Sequence, residues 1–374
     1  MKKNLNVSIL AVTVLLMSVT ACTSDESIEK TYTPEPVNFG VSIGTPIMTR
    51  AGSPTATTAW GGTIEEKFAS GDVVAIYTTD ADDKWYKKSY ATSAASASAN
   101  AATALTVGTS AADVFYWKGT TDKKKFHAYS FGNSTAISNT AAASGDATDD
   151  FHFETNNAFT VPTDQQSGSN YEFLYSYGYI PYSTAAKTIV LNHQLTRIDL
   201  ELVTEKQDTE LDATKSVKIG STTSGKGVTV VGTFTPASST EFTALVTAGT
   251  EDLGSGHNGA WTLSTTSTDI DKEITPRVIS GEAAVSPATT PATYTTTYSA
   301  VLLPQDFTGK DMFVISYDGA TYKYTGVAAD NLSSGIGKKY TYKIEISADK
   351  LNVTQVQIAA WDAVNQGTVS APLQ

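Results

Sequence analysis

The chain has 374 residues, 38 acidic against 26 basic side chains, a formal net charge of -12 and a single cysteine. That acidity repels phosphate backbones, which excludes a nucleic-acid partner, and a lone thiol excludes an intrachain disulfide framework. Only 17% of the residues are charged, while Thr, Ser, Gly, Tyr and Val abound, a balance that suits pleated, half-buried strands and predicts a mostly β protein.

Residues 1–21 read as a lipoprotein signal peptide: Lys2 and Lys3, an apolar stretch over 7–19, then the lipobox Val19-Thr20-Ala21-Cys22. A bilayer crossing needs about 20 apolar residues, more than this stretch supplies, so cleavage and lipidation of Cys22 are expected rather than a spanning helix. The lipid would tie the protein to an outer membrane. Residues 22–50 form a leader after it, opening with Thr23-Ser24-Asp25-Glu26, an acidic patch that resembles a surface-export signal of bacterial lipoproteins.

Within the leader, Val37, Phe39, Val41 and Ile43 fall on one face of an extended strand whose other face is small or polar. Met48-Thr49-Arg50-Ala51 follows, flanked by Pro46, Gly52 and Pro54. A basic residue in such a linker is open to a trypsin-like protease, so Arg50 and Ala51 are the expected maturation site. The plainer alternative is an exposed arginine without consequence and a first strand that stays in its sheet.

Further along, alternating runs with turn residues between them recur at 73–77, 114–117, 171–175, 228–234 and 340–346. About 350 residues remain after the signal, enough for two domains, and the spacing of the runs predicts two tandem β-sandwiches over 51–205 and 206–374. The run 191–203 buries Leu191, His193 and Leu195 on one face but Ile198, Leu200 and Leu202 on the other, which predicts a bulge or burial on both faces. The polar stretch 204–210 marks the domain boundary. Stretches 91–104, 133–150 and 285–297, rich in Ala, Ser and Thr, read as exposed loops.

Catalytic chemistry finds little support. His127, His152, His193 and His257 are scattered without metal-ligand spacing, and no Gly-x-Ser-x-Gly elbow occurs. Gly254-Ser255-Gly256-His257-Asn258-Gly259 lacks a P-loop's Gly-Lys-Ser/Thr ending and reads as a flexible hairpin tip. Asp80-Ala81-Asp82-Asp83, and Asp146 with Asp149-Asp150, lack the Gly and distal Glu of a calcium loop and read as solvated turns. No cofactor and no metal site is expected, and the chain reads as non-enzymatic. Among the five tryptophans, Trp85 with Tyr86 in a lysine-rich hairpin is the pair best suited to stack on a sugar.

Taken in order, the lipobox, the strand before Thr49-Arg50-Ala51, Trp60 with 70–77, 168–176, Leu191-Asn192-His193-Gln194-Leu195, Val301-Leu302-Leu303-Pro304-Gln305, Gly337-Lys338-Lys339-Tyr340 and Ile358-Ala359-Ala360-Trp361 resemble the fimbrillin family, the type V pilins of Bacteroidales. The resemblance spans nearly the whole chain. It implies two β-sandwich domains of the fimbrillin, transthyretin-like type, export as a surface lipoprotein, cleavage after Arg50 and polymerisation by donor-strand exchange into an adhesive fimbria. Val37, Phe39, Val41 and Ile43 would fill a groove until cleavage, and full burial of four such side chains is worth about 6–12 kcal/mol as an upper estimate. Other fimbrial subunits, in a homo- or hetero-polymer, are the implied partners, with a host protein or glycan as receptor. The family's donor is C-terminal. Here Val356, Ile358 and Trp361 change parity, and only Val369, Ala371 and Leu373 alternate beyond them, so shaft, tip and anchor positions all stay open. The alternative function is a monomeric surface lipoprotein that binds host or dietary glycan; a glycan-cleaving enzyme, which needs two facing carboxylates, ranks last.

Overall fold

The computed structural model describes residues 33–43, 68, 70–97, 101–106, 114–131, 157–166, 173–211, 214–284, 293–347, 350–360 and 363–364. Cys22, Arg50, Ala51, Trp361, Val369 and Leu373 lie outside them, as do Trp60, His152 and Asp146 with Asp149-Asp150. Residues 34–374 form one unit; of residues 1–33 only Thr33 is described.

Strands dominate the described chain. The first half contributes β1 (Phe39–Ile43), β2 (Val73–Thr79), β3 (Trp85–Thr92), β4 (Thr103–Thr106), β5 (Lys123–Ser130), β6 (Ala158–Thr160), β7 (Leu174–Pro181), β8 (Lys187–His193) and β9 (Thr196–Thr204). The second half contributes β10 (Ser216–Gly220), β11 (Val231–Thr235), helix α1 (Ser239–Ala248), β12 (Ala260–Leu263), β13 (Glu273–Ile274), β14 (Arg277–Ala284), β15 (Tyr294–Leu302), β16 (Asp311–Tyr317), β17 (Ala320–Thr325), β18 (Lys338–Ser347), β19 (Lys350–Ala360) and β20 (Ala363–Val364).

Where two sandwiches were expected, the first half closes a seven-stranded sheet into a barrel, in the order β1-β4-β3-β2-β5-β7-β8. Closure depends on β1, which runs antiparallel to β4 and parallel to β8. A six-stranded sheet, β14-β15-β9-β18-β19-β20, and a four-stranded sheet, β13-β10-β16-β17, make up most of the second half. Phe313 of β16 meets Tyr342 of β18 edge to face with ring centroids 5.1 Å apart, which brings these two sheets into one core. A three-stranded sheet, β12-β11-β6, takes its edge strand β6 from the first half.

The parity change expected within 191–203 has a different cause from a bulge. The run is two strands in two sheets: β8 ends at His193 in the barrel, and β9 starts at Thr196 between β15 and β18. The chain therefore changes sheets at Gln194–Leu195, before the polar stretch at 204–210; β8 buries alternate residues, whereas β9, interior to its sheet, is buried on both faces, the alternative expected beside a bulge. The stretch 91–104 is likewise strand at both ends, contributing Ala91 and Thr92 to β3 and Thr103 and Ala104 to β4.

Strand alternation also separates two cores. Tyr90 lies opposite Val74 and its ring is 5.9 Å from that of Phe39, which places these three side chains on the inner face of the barrel. Ala75 and Tyr77, on the outer face of the same strand, join the core shared with the second half. There His127 of β5 and Tyr177 of β7 meet Phe242 of α1 edge to face. Ser238 and Glu241 form a capping box at the start of α1, and Gly249 with φ of 68° ends it.

Candidate functional site

The site with the most unusual construction is the channel between β4 and β8 that β1 occupies. Val37, Phe39, Val41 and Ile43 are 3, 5, 0 and 3% exposed. β-Branched residues at alternating positions after Pro36 favour the extended backbone, and the apolar face fits the barrel interior. Entry to the strand is pinned by Val37, which donates its N–H to the Phe115 carbonyl at 2.8 Å, and by Trp117, which donates to the Glu35 carbonyl at 2.9 Å. Tyr182 donates its hydroxyl to Glu35 Oε2 at 2.7 Å.

The two walls differ in strength. Five residues of β1, from Phe39 against Lys187 to Ile43 against Leu191, stand in parallel register with β8. On the other side only Gly40 and Val41 pair with β4, which itself holds to β3 through two pairs. Inside, Phe39 packs edge to face on Tyr90 and on Phe115, 5.9 and 6.4 Å away. Lys88 is buried beneath this group: Nζ lies 4.3 Å from the Phe115 ring centroid, pairs with Asp80 at 2.6 Å and donates to the Val114 carbonyl at 2.6 Å. A charge desolvated this way needs those partners, and in meeting them it fixes the segment that pins Val37.

The far side of β8 is braced from the second half of the chain. β7 and β8 pair only at Leu174 with His193 and Tyr175 with Asn192, then part. Residues 252–254 fill the opening: Tyr179 and Asp252 exchange backbone hydrogen bonds at 2.8 Å, and Val190 donates to the Leu253 carbonyl at 2.8 Å. Asn192 Nδ2 donates to the carbonyls of Gly254 at 2.7 Å and His257 at 3.0 Å, while Gly256 N–H donates to Asn192 Oδ1 at 3.1 Å. His257 Nε2 lies 2.8 Å from Asp252 Oδ2. Buried Gln194 donates to Asn258 Oδ1 at 3.0 Å and accepts from Gly259 N–H at 3.1 Å. The glycine-rich segment expected to be a free hairpin tip is thus a wedge clasped by Asn192 and Gln194. The close approach needs a glycine on each side: a Cβ on Gly178 of β7 would lie 2.3 Å from the Asp252 carbonyl oxygen, and one on Gly254 of the wedge, at φ of +94°, 2.3 Å from Ser176 Oγ.

Sequence reasoning missed this wedge, although Asn192 and Gln194 alternating with buried Leu191, His193 and Leu195 was the available signal. Gln305 plays a comparable part in its own motif, accepting from Thr229 N–H at 2.9 Å and donating to the Thr229 carbonyl at 3.1 Å.

Other candidates fall out differently. Trp85 is buried against Tyr77, stacked at 5.0 Å, so Trp85 with Tyr86 is not an exposed sugar platform; an aromatic ring flanked by lysines gains more from the core than from water. Tyr86 donates to Asp82 Oδ2 at 2.6 Å, which holds the Tyr86 phenol above its ordinary value. Asp80 accepts from Ala81 and Tyr116 N–H, and Asp83 pairs with Lys118, so these carboxylates serve the turn. His127 Nδ1 is bonded to Tyr175 Oη at 2.8 Å within the core. Among the described residues no cluster of three or more His, Cys, Asp or Glu side chains could hold a metal ion, and no helix is long and apolar enough to cross a membrane. Val356 and Ile358 fall on β19, which pairs with β18 of the same chain from Lys350 to Ala360.

The sequence matches the fimbrillin-like family over residues 49–361. No curated protein matches it. Among solved structures, a candidate cell adhesion protein from Bacteroides uniformis superposes with a TM-score of 0.50 at 14% identity, over 87% of this chain and 98% of that one. Another from Bacteroides ovatus gives 0.49 at 16% identity over 89% and 100%, and a fimbrial assembly protein from Parabacteroides distasonis gives 0.41 at 13% over 91% and 100%. With 313 of its 374 residues inside the match, this chain belongs to the fimbrillin-like family.

Proposed function

We propose that the protein is a structural, non-enzymatic subunit of an adhesive cell-surface fimbria, exported as a lipoprotein through Cys22, cut after Arg50 and joined to other subunits by strand replacement. The observation that carries this reading is the position of β1. It precedes Arg50 in the chain, buries Val37, Phe39, Val41 and Ile43, and is hydrogen-bonded on both sides by β4 and β8. A strand so placed leaves a channel with unpaired backbone groups on both walls when it departs, and such a channel is an acceptor for another strand. Family membership supports the fimbrial assignment, and the cell-adhesion description of the Bacteroides uniformis structure supports an adhesive role. The barrel is read as the N-terminal unit and the facing six- and four-stranded sheets as a C-terminal sandwich, the tandem arrangement implied for the family.

Cell-surface placement accords with the family, and the lipid on Cys22 would attach the precursor to the outer membrane. The test is expression of Arg50→Ala in the producing bacterium. The variant should be folded, lipidated and surface-exposed, yet absent from sheared fimbriae. Its normal incorporation into fimbriae would sink the reading.

A further inference from the structure

We infer that the channel between β4 and β8 selects its incoming strand by size at one position. It takes an extended segment of a neighbouring subunit with the pattern aromatic, glycine, aliphatic, small, aliphatic, running parallel to β8. This rests on the proposal that β1 is a replaceable strand, and it deepens that proposal by naming the kind of segment that can replace it.

The two walls pinch at Gly40. A Cβ there would lie 3.2 Å from the Thr103 carbonyl oxygen on β4 and 3.3 Å from Thr188 Oγ1 on β8. Alanine would have to push both walls by a few tenths of an ångström, and a β-branched residue would add two further heavy atoms beyond that Cβ. Each wall is tethered close to the pinch, β8 more firmly than β4. Buried Thr103 donates its hydroxyl to the Ala94 carbonyl at 2.8 Å, and β8 is held from behind by the wedge at Val190. Ser42, the next outward position, is also buried and also small. At the preceding position the space is shaped for a ring, since Phe39 is gripped edge to face by Tyr90 and Phe115.

Register and direction follow from the same geometry. A slip of one residue would bring Phe39 or Val41 to the pinch and point Gly40 and Ser42 into the barrel, exchanging the two faces everywhere along the strand. A segment in the opposite direction, with its glycine still at the pinch, would set an aliphatic side chain against Tyr90 and Phe115 and force the ring into the wholly buried place of Val41 opposite Ile189. Strands that are continuous runs of Val and Ile, however apolar, do not fit.

The experiment uses the full chain nicked after Arg50, at a denaturant concentration where mass analysis shows the cut leader leaving. Fluorescent peptides of residues 34–43 are titrated and capture is followed by anisotropy. The native peptide should bind, Gly40→Ala should bind more weakly, and Gly40→Val should bind about 10- to 100-fold more weakly than native, the range that overpacking gives. A peptide of reversed order should not bind. Equal capture of native and Gly40→Val peptides would overturn the size rule while leaving strand replacement intact. Equal capture of the reversed peptide would overturn the directional rule. No capture of the native peptide would overturn both this inference and the proposal beneath it.

Discussion

Val41 of β1 stands opposite Ile189 of β8 in parallel register, and both side chains are wholly buried. A strand that precedes Arg50 in the chain is therefore a structural member of the barrel. Replacing its neighbour Ile43 by Ala should lower stability by about 2–5 kcal/mol, the cost of a large-to-small change in a core. Urea unfolding of the uncut protein measures this. An unchanged midpoint would mean that β1 is not part of the cooperative unit.

The wedge at 252–254 couples the halves of the chain. Asn192→Ala removes the donor to Gly254 and His257 and should cost about 1–3 kcal/mol, two part-buried hydrogen bonds at about 0.5–1.5 each. Gly178→Ala drives a methyl against the Asp252 carbonyl and should expel the segment. Amide exchange across 250–257 is the direct readout: protection should fall in both variants while β18 stays protected.

Alkaline pH should weaken the second half. Burial, then the nearby Asp330 carboxylate, hold the Tyr342 phenol well above its ordinary value, and burial does the same for Tyr324, which also donates to Asp330. An unfolded tyrosine ionises near pH ~10, so the native state keeps protons the unfolded state has lost, and stability falls as pH rises from there through the folded pKa values. Tyr342→Phe should cost about 1.5–3 kcal/mol at neutral pH by deleting a hydrogen bond to a carboxylate. It should also flatten the alkaline decline, as thermal melts at several pH values would reveal; an equally steep decline would assign it to other groups.

Local pattern made much of this legible. Alternation of Val37, Phe39, Val41 and Ile43 gave the strand because extended backbone repeats every two residues, and buried side chains imprint that period. What alternation does not encode is the partner strand. β1 meets β8 some 150 positions later, and the closed barrel, in place of an open sandwich, follows from that long-range pairing. In the run 191–203, burial on both faces was legible and holds for β9, but the sheet crossing before it was not, because a parity change there looks the same as a bulge. The wedge was hidden because its fixity comes from Asn192 and Gln194, more than sixty positions away, and glycine-rich composition alone reads as freedom.

If β1 is removable, its loss creates an acceptor. The most direct measurement is limited trypsin digestion of the purified, non-lipidated chain, with mass analysis of the released leader and sizing of the product. Cleavage between Arg50 and Ala51, loss of the leader and a ladder of oligomers are the expected result. A product that keeps β1 after cutting, or loses it and stays monomeric at concentrations where subunits meet, would mean that β1 is not a strand exchanged between subunits.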